Sequence, residues 1–169
     1  MKLSDAHPGL RRICHEDLPQ LLRLNNEAVP AVNYLDETAF RALLNEAELA
    51  IVSATGGSVS AFLLAFGPRA AYQSPNYRWF ASRFRDFLYI DRIVVDSLER
   101  GNGLGQRLYE AAFELAADRP LCCEVNLQPP NEGSLRFHRR LGFQCVGEAD
   151  SSDGKRVAML GTQPLAATG

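Results

Sequence analysis

The run Arg100-Gly101-Asn102-Gly103-Leu104-Gly105 is the stretch of this 169-residue chain best suited to chemistry. It follows the apolar run ending Ile93-Val94-Val95 and precedes a segment to about Asp118 in which Leu104, Leu108, Ala111, Ala112 and Leu115 recur at helical spacing. Glycines at a helix start free the first backbone amides, which have no partner inside the helix and lie at the positive end of its dipole. Such a turn holds an anion. Two common phosphate motifs are excluded: the third glycine of G-x-G-x-x-G would fall on Gln106, and no Gly-Lys-Ser/Thr occurs. Side chains able to move protons flank the turn in sequence. Alternation places Tyr89 and Asp91 on one face of a strand and Glu124, Asn126 and Gln128 on one face of the next, with His138 further on. Each has a structural alternative: a turn that only allows close packing, carboxylates that partner an arginine such as Arg92, and a histidine on a solvated helix face.

The elements that must position these groups follow from period and punctuation. Leu10 to Ile13 reads as a first strand, and Glu16-Asp17-Leu18-Pro19 opens a helix that Asp17 caps. A second helix spans Asp36 to Glu46. Strands Leu49 to Thr55 and Ser58 to Phe66 meet at Gly56-Gly57 in a tight antiparallel hairpin. Residues 67–86 show no clear period and mix Tyr72, Tyr77, Trp79, Phe80 and Phe84 with four arginines, as a functional loop does or a loop packing its aromatics on the sheet. Phe87 to Asp96 is the strongest strand, and Leu121 to Gln128 is another, ended by Pro129-Pro130. Asn131 caps a helix to Arg140, and Gly142 lies just past its end. Phe143 to Glu148 and Arg156 to Gly161 form a final hairpin across residues 150–154. The layout predicts one α/β domain over residues 1–165, a mixed sheet flanked by helices, with 166–169 as a loose tail.

Arg100-x-x-Gly103-x-Gly105 after a Val-Val strand resembles the Arg/Gln-x-x-Gly-x-Gly/Ala motif of the GNAT superfamily of N-acetyltransferases. Residues 131–143, Asn-x-x-Ser-Leu-Arg-Phe-His-x-x-x-Gly-Phe, resemble that superfamily's Asn-x-x-Ala-x-x-Phe-Tyr-x-x-x-Gly-Phe segment. The resemblance covers Leu10 to Gly161, in outline only over the first half. It implies a mixed, mostly antiparallel sheet of about six to seven strands, splayed at its two central parallel strands, and acetyl-CoA as cofactor. On that pattern Arg100, Gly101, Asn102, Gly103, Leu104, Gly105 and Gln106 surround the pyrophosphate. Ile93, Val94 and Val95 offer backbone to the pantetheine arm and the oxyanion, while Asn131, Ser134, Phe137 and Arg140 lie along the cofactor. The reaction implied is direct attack of an amine in a ternary complex. His138 stands where many relatives carry the tyrosine that protonates the leaving thiolate, and Asp91 and Glu124 are alternative bases. The acceptor side is expected to include Tyr34, Tyr89, Asn126 and Trp79. Two copies pairing through the C-terminal strands would match a habit of the superfamily.

Composition bounds the partners. With 18 basic and 20 acidic residues the net charge is -2, which argues against a general nucleic-acid binder, and 46% hydrophobic residues argue against a disordered chain. Residues 69–107 nevertheless hold seven arginines against four acidic residues, a local excess around the glycine turn. Arginine and aromatic residues before the central strand suit a small acceptor that bears a carboxylate, such as an amino acid or an N-terminal peptide, more than a polycationic aminoglycoside or polyamine. No apolar run is long enough to span a membrane and no signal peptide is evident, so a cytoplasmic location is expected. Cys14, Cys122, Cys123 and Cys145 form no C-x-x-C pair, and reduced thiols without a metal are expected. A module that binds acetyl-CoA without catalysis is the alternative from another functional class.

Overall fold

The computed structural model describes residues 3–151, 153–163 and 165–168. The chain runs α1 (Leu3–Ala6), β1 (Leu10–Arg12), α2 (Leu18–Glu27), α3 (Glu37–Glu46), β2 (Leu49–Thr55), β3 (Ser58–Phe66), α4 (Pro75–Ala81), β4 (Leu88–Val95), α5 (Leu104–Ala116), β5 (Leu121–Gln128), α6 (Glu132–Arg140), β6 (Gln144–Asp150) and β7 (Arg156–Gly161). The seven strands form a mixed sheet in the order β1-β2-β3-β4-β5-β7-β6. Contacts divide the chain into two compact units, one through Phe66 plus Asp91–Ala117, the other Gly67–Ile90 plus the residues from Asp118 onward.

In the first unit β1, β2 and β3 are antiparallel, with Leu10 opposite Ser53 and Ile51 opposite Leu63. Leu18, Leu21 and Leu24 of α2, Phe40 of α3, Val52, Phe62 and Leu64 of the strands and Val94 of β4 share one core. Each such side chain contributes about 2 kcal/mol on leaving water. Asp36 caps α3 by accepting from the Ala39 amide at 2.8 Å. Asp17, expected to cap α2, does not. Its own backbone is already helical (φ -73°, ψ -21°), and both carboxylate oxygens accept from the Arg11 guanidinium at 2.7 Å. The Arg11 hydrogen bonds hold the Asp17 carboxyl down to about 2.

In the second unit β4 meets β5 in a parallel ladder of two pairs, Leu88 with Leu121 and Tyr89 with Cys122, the short pairing expected where central parallel strands splay. β5 continues antiparallel to β7, and β7 to β6. Residues 67–86 are not the unbroken loop that their lack of period suggested. Ser74 accepts from the Tyr77 amide at 3.4 Å and Pro75 occupies the first helical position, so α4 forms over seven residues. Its Tyr77 and Phe80 are buried, and Phe84 follows at helical spacing against Phe80. The sequence expectation missed it because one short helix gives too few turns for a period to show. The final turn includes Ser152, and the tail includes Gly169; both lie outside the described residues. Ala166 and Thr168 of the expected loose tail hydrogen-bond to Arg85 and Arg83.

Candidate functional site

Helix α5 begins without a side-chain cap. Gly103 occupies the cap position in the left-handed region (φ +74°), a conformation that costs other residues about 1–2 kcal/mol. The first hydrogen bond closes from the Arg107 amide to the Gly103 carbonyl at 3.0 Å, so the amides of Leu104, Gly105 and Gln106 are the unclaimed first turn of a 13-residue helix. A Cβ on Gly101 or Gly103 would meet nothing within 4 Å, so the backbone there is open to approach. The neighbouring side chains are occupied with local roles: Asn102 donates to Glu99 at 3.1 Å, Gln106 donates to Glu110 at 2.9 Å, and Arg107 donates to the Pro8 carbonyl. Arg100 is exposed. These residues fit a pyrophosphate held by backbone, with cation support from Arg100.

On β4, Ile93 and Val95 are half-buried and Val94 lies in the core. Asp91 is committed to a neighbour: its Oδ2 accepts from Arg92 Nε at 2.7 Å, with both side chains at 5% exposure or less. Arg92 also donates to Asn25 Oδ1 at 2.8 Å and Asn33 Oδ1 at 2.9 Å. Asn25 donates in turn to the Asn33 carbonyl at 3.0 Å, which ties the segment after α2 to the strand. Sequence weighed Asp91 as a base and as an arginine's partner, and the structure places it in the second setting. Tyr34, next to Asn33, is 68% exposed.

The second unit brings together Tyr89 and Glu124. The phenol donates to Glu124 Oε2 at 2.6 Å, at the short end of O–H···O distances. Tyr89 is fully buried, whereas Glu124 is half-buried on β5, opposite Met159. Asn126, two residues along, is half-buried and its carbonyl accepts from the Asn131 amide at 3.0 Å. The Cys122 thiol is buried and burial alone pushes its pKa up, so it holds its proton. All four cysteines are free, and no cluster of metal-ligating side chains occurs among the described residues.

Helix α6 starts on Asn131, whose Oδ1 accepts from the Ser134 amide at 3.1 Å. Phe137 is half-buried, Ser134 half-buried and Arg140 exposed. His138 points inward. It is 6% exposed, and Phe137 and Phe143 stand edge-on to its ring at 5.4 and 5.2 Å. Nδ1 lies 2.7 Å from the Ser134 carbonyl oxygen, which can only accept, so Nδ1 carries the proton. Burial lowers the ring's pKa, against a smaller raising effect of that bond. The ring is therefore neutral at pH 7 with its single proton turned to backbone, the opposite of what donation from Nε2 requires.

Trp79, expected on the acceptor side, packs within its own unit. An added Cβ on Gly147 would sit 2.5 Å from its Cζ2, and Arg83 stacks over the ring at 4.2 Å. Sequence reasoning named Tyr77 only among the aromatics of an irregular segment, and passed over Asn25 and the structural weight of Arg92. Only the Ser74-Pro75 start signal pointed to the helix that carries Tyr77.

The model of the Acetyltransferase (GNAT) family matches residues 15–143. The peptidyl-lysine N-acetyltransferase YjaB of Salmonella typhimurium is 28% identical over 162 residues, 90% of this chain and 94% of that protein. An aminoglycoside N(6')-acetyltransferase type 1 of Klebsiella pneumoniae is 29% identical over 76 residues, 44% of this chain; the match spans only 38% of that protein's length. Ard1 from Thermoplasma volcanium superposes with a TM-score of 0.70 at 20% identity, over 93% of this chain and 96% of that one, which shows a shared fold. The motif at the start of α5, the strand order around β4 and a family match over well over half the sequence agree: the chain belongs to the GNAT acetyltransferase family.

Proposed function

We propose that the protein transfers the acetyl group of acetyl-CoA to a primary amine, on a small molecule or a peptide, by direct attack in a ternary complex. The observation that carries this reading is the start of α5 without a side-chain cap, where the Leu104, Gly105 and Gln106 amides precede the first intrahelical hydrogen bond after a glycine turn, in a chain of this family. Bound acetyl-CoA supplies the activated thioester. Arg100 to Gln106 hold its pyrophosphate, and the Ile93 and Val95 backbone aligns the pantetheine arm. On the family pattern, Asn131, Ser134, Phe137 and Arg140 would contact the bound cofactor. A backbone amide near Ile93 or Val94 would serve the thioester carbonyl oxygen, where negative charge develops on attack. Glu124 accepts the proton of the acceptor ammonium, directly or through water, while Tyr89 fixes its carboxylate. Asn126 and Tyr34 are assigned to the acceptor rather than the cofactor, a reading their half-buried and exposed settings support. His138 is left out of proton transfer because its proton is directed to Ser134. An acyl-cysteine is left out because burial keeps the Cys122 thiol protonated.

The relatives' printed substrates, peptidyl-lysine and an aminoglycoside, are both amines and support acetyl transfer to nitrogen. The test is thiol release from acetyl-CoA across a panel of amino acids, N-terminal and lysine peptides, spermidine and kanamycin, with calorimetry of acetyl-CoA binding alongside. Turnover on one amine class supports the proposal, and acetyl label trapped on Cys122 or Cys123 during turnover overturns the direct route. The second reading, a module that binds acetyl-CoA without catalysis, is favoured by the missing acid at His138. Tight acetyl-CoA binding with no turnover on any amine selects it.

A further inference from the structure

We propose that Tyr77, on α4, is a positioning residue that acts through Tyr89 on the Glu124 carboxylate. The inference rests on Glu124 being the base of the proposed reaction, but its geometry stands apart from that role. A phenol donating at 2.6 Å holds a carboxylate only as firmly as its own ring is held. The Tyr89 ring is fully buried, so its position is set by what packs on it. Two of those neighbours come from α4: Tyr77 at 5.6 Å with its plane at 67°, and Phe80 at 5.8 Å. Tyr77 differs from Phe80 in being anchored at its far end. Its hydroxyl donates to the Gly67 carbonyl at 2.7 Å and accepts from the Ala70 amide at 3.0 Å. Its ring also meets Tyr72 at 5.5 Å and Phe87 at 6.2 Å.

The result is a continuous relay of contacts, from the backbone of residues 67–70 through the Tyr77 ring and the Tyr89 phenol to Glu124. Segment 67–86, which sequence left between functional loop and packed aromatics, supports the carboxylate from behind. The side chain that does so belongs to a helix invisible to periodicity. Tyr89 on β4 donates to Glu124, and Met159 stands opposite it on β7.

The experiment is a double-mutant cycle of Tyr77→Phe and Tyr89→Phe, reading the pH midpoint of the Glu124 side-chain carboxyl by ¹³C NMR, assigned with Glu124→Gln. Tyr77→Phe keeps the ring and removes the anchor, so the fold should persist. It is expected to move the Glu124 midpoint in the native background and to leave it unmoved where Tyr89 is already Phe. On the amine found by the panel it should lower kcat about threefold to tenfold with the KM for acetyl-CoA unchanged. An unmoved midpoint, or equal movement in both backgrounds, overturns the proposal. The expected NMR result in a protein that acetylates no amine would sink the enzymatic reading and leave the relay standing. Should Tyr77→Phe fail to fold, Ala70→Pro, which removes the amide that donates to Tyr77 and to the Gly67 carbonyl but keeps the Tyr77–Gly67 bond, takes its place with the same direction of movement and a smaller size.

Discussion

Tyr89 donates its phenolic hydrogen to Glu124 across 2.6 Å, joining two residues 35 positions apart on parallel strands. This pair is the point at which the chain presents a half-buried carboxylate in a fixed position. Glu124→Gln keeps size and hydrogen bonding but cannot take a proton, so kcat should fall about a hundredfold while acetyl-CoA binding stays within twofold. Steady-state kinetics beside calorimetry check this. Retained kcat would move the base elsewhere.

The glycine turn predicts a backbone effect. Gly103→Val forces a β-branched residue to φ +74° at the cap of α5, where side chains other than glycine are strained. CoA affinity should drop at least about tenfold, read by calorimetry, and the same strain, about 1–2 kcal/mol, should lower the unfolding midpoint. Equal CoA affinity in the variant would show that the turn does not carry the phosphates.

Gly147 and Trp79 give a spectroscopic test, since Trp79 is the only tryptophan. Gly147→Ala puts a methyl 2.5 Å from Cζ2 of a ring wedged beside Phe80 and Phe84, so the ring must shift. A red-shifted emission and a loss of about 1–3 kcal/mol in urea unfolding are expected. An unchanged spectrum would mean that Trp79 does not rest on β6.

His138 makes stability depend on pH with a defined sign. Its folded-state pKa lies below the unfolded value of 6.5, so the unfolded chain binds the extra proton first as pH falls. The contribution is complete above pH 6.5 and is lost on descending from there toward the lowered folded value. Urea unfolding at pH 7.5 and pH 5 should show this loss, and His138→Phe should flatten it. Under the proposed mechanism the same variant keeps kcat within about threefold; a large kcat loss would restore His138 as an acid.

Asp17 has the complementary behaviour. Its folded value near 2 lies below the ordinary 3.8, so its stabilisation is present above 3.8 and disappears as pH falls through 2. Asp17→Asn breaks the bidentate Arg11 pair and should cost about 2 kcal/mol at pH 7. Chemical denaturation checks it, and a cost near zero would show the pair to be neutral.

Much of the frame was legible from local rules. Gly56-Gly57 announced the β2–β3 hairpin, Asn131 capped the helix it was expected to cap, the helix read from Asp36 begins one residue later with Asp36 as its cap, and the Val-Val strand followed by the glycine turn fixed β4 and α5. Each is written in a few adjacent residues. Asp17 shows where the local rule fails, because a cap acceptor yields to an arginine that offers two charged hydrogen bonds. α4 shows another limit: one turn of spacing does not make a period.

What the sequence determined by itself was the family, the glycine turn that opens α5 and the set of candidate groups for moving a proton. Which of those groups keep that ability was decided only by the tertiary structure. Asp91 and Glu124 are equivalent in sequence, each a carboxylate on an apolar strand. One meets Arg92 and is spent on holding the segment after α2, and the other meets a tyrosine phenol and remains half-exposed. His138 sits in a motif position that suggests an acid, yet α6 turns it between two phenylalanines and sends its proton into backbone. The physical reason is common to all three. Protonation and reach depend on burial and on the nearest charge, and both are set by residues tens of positions away that only strand register and helix packing bring into contact.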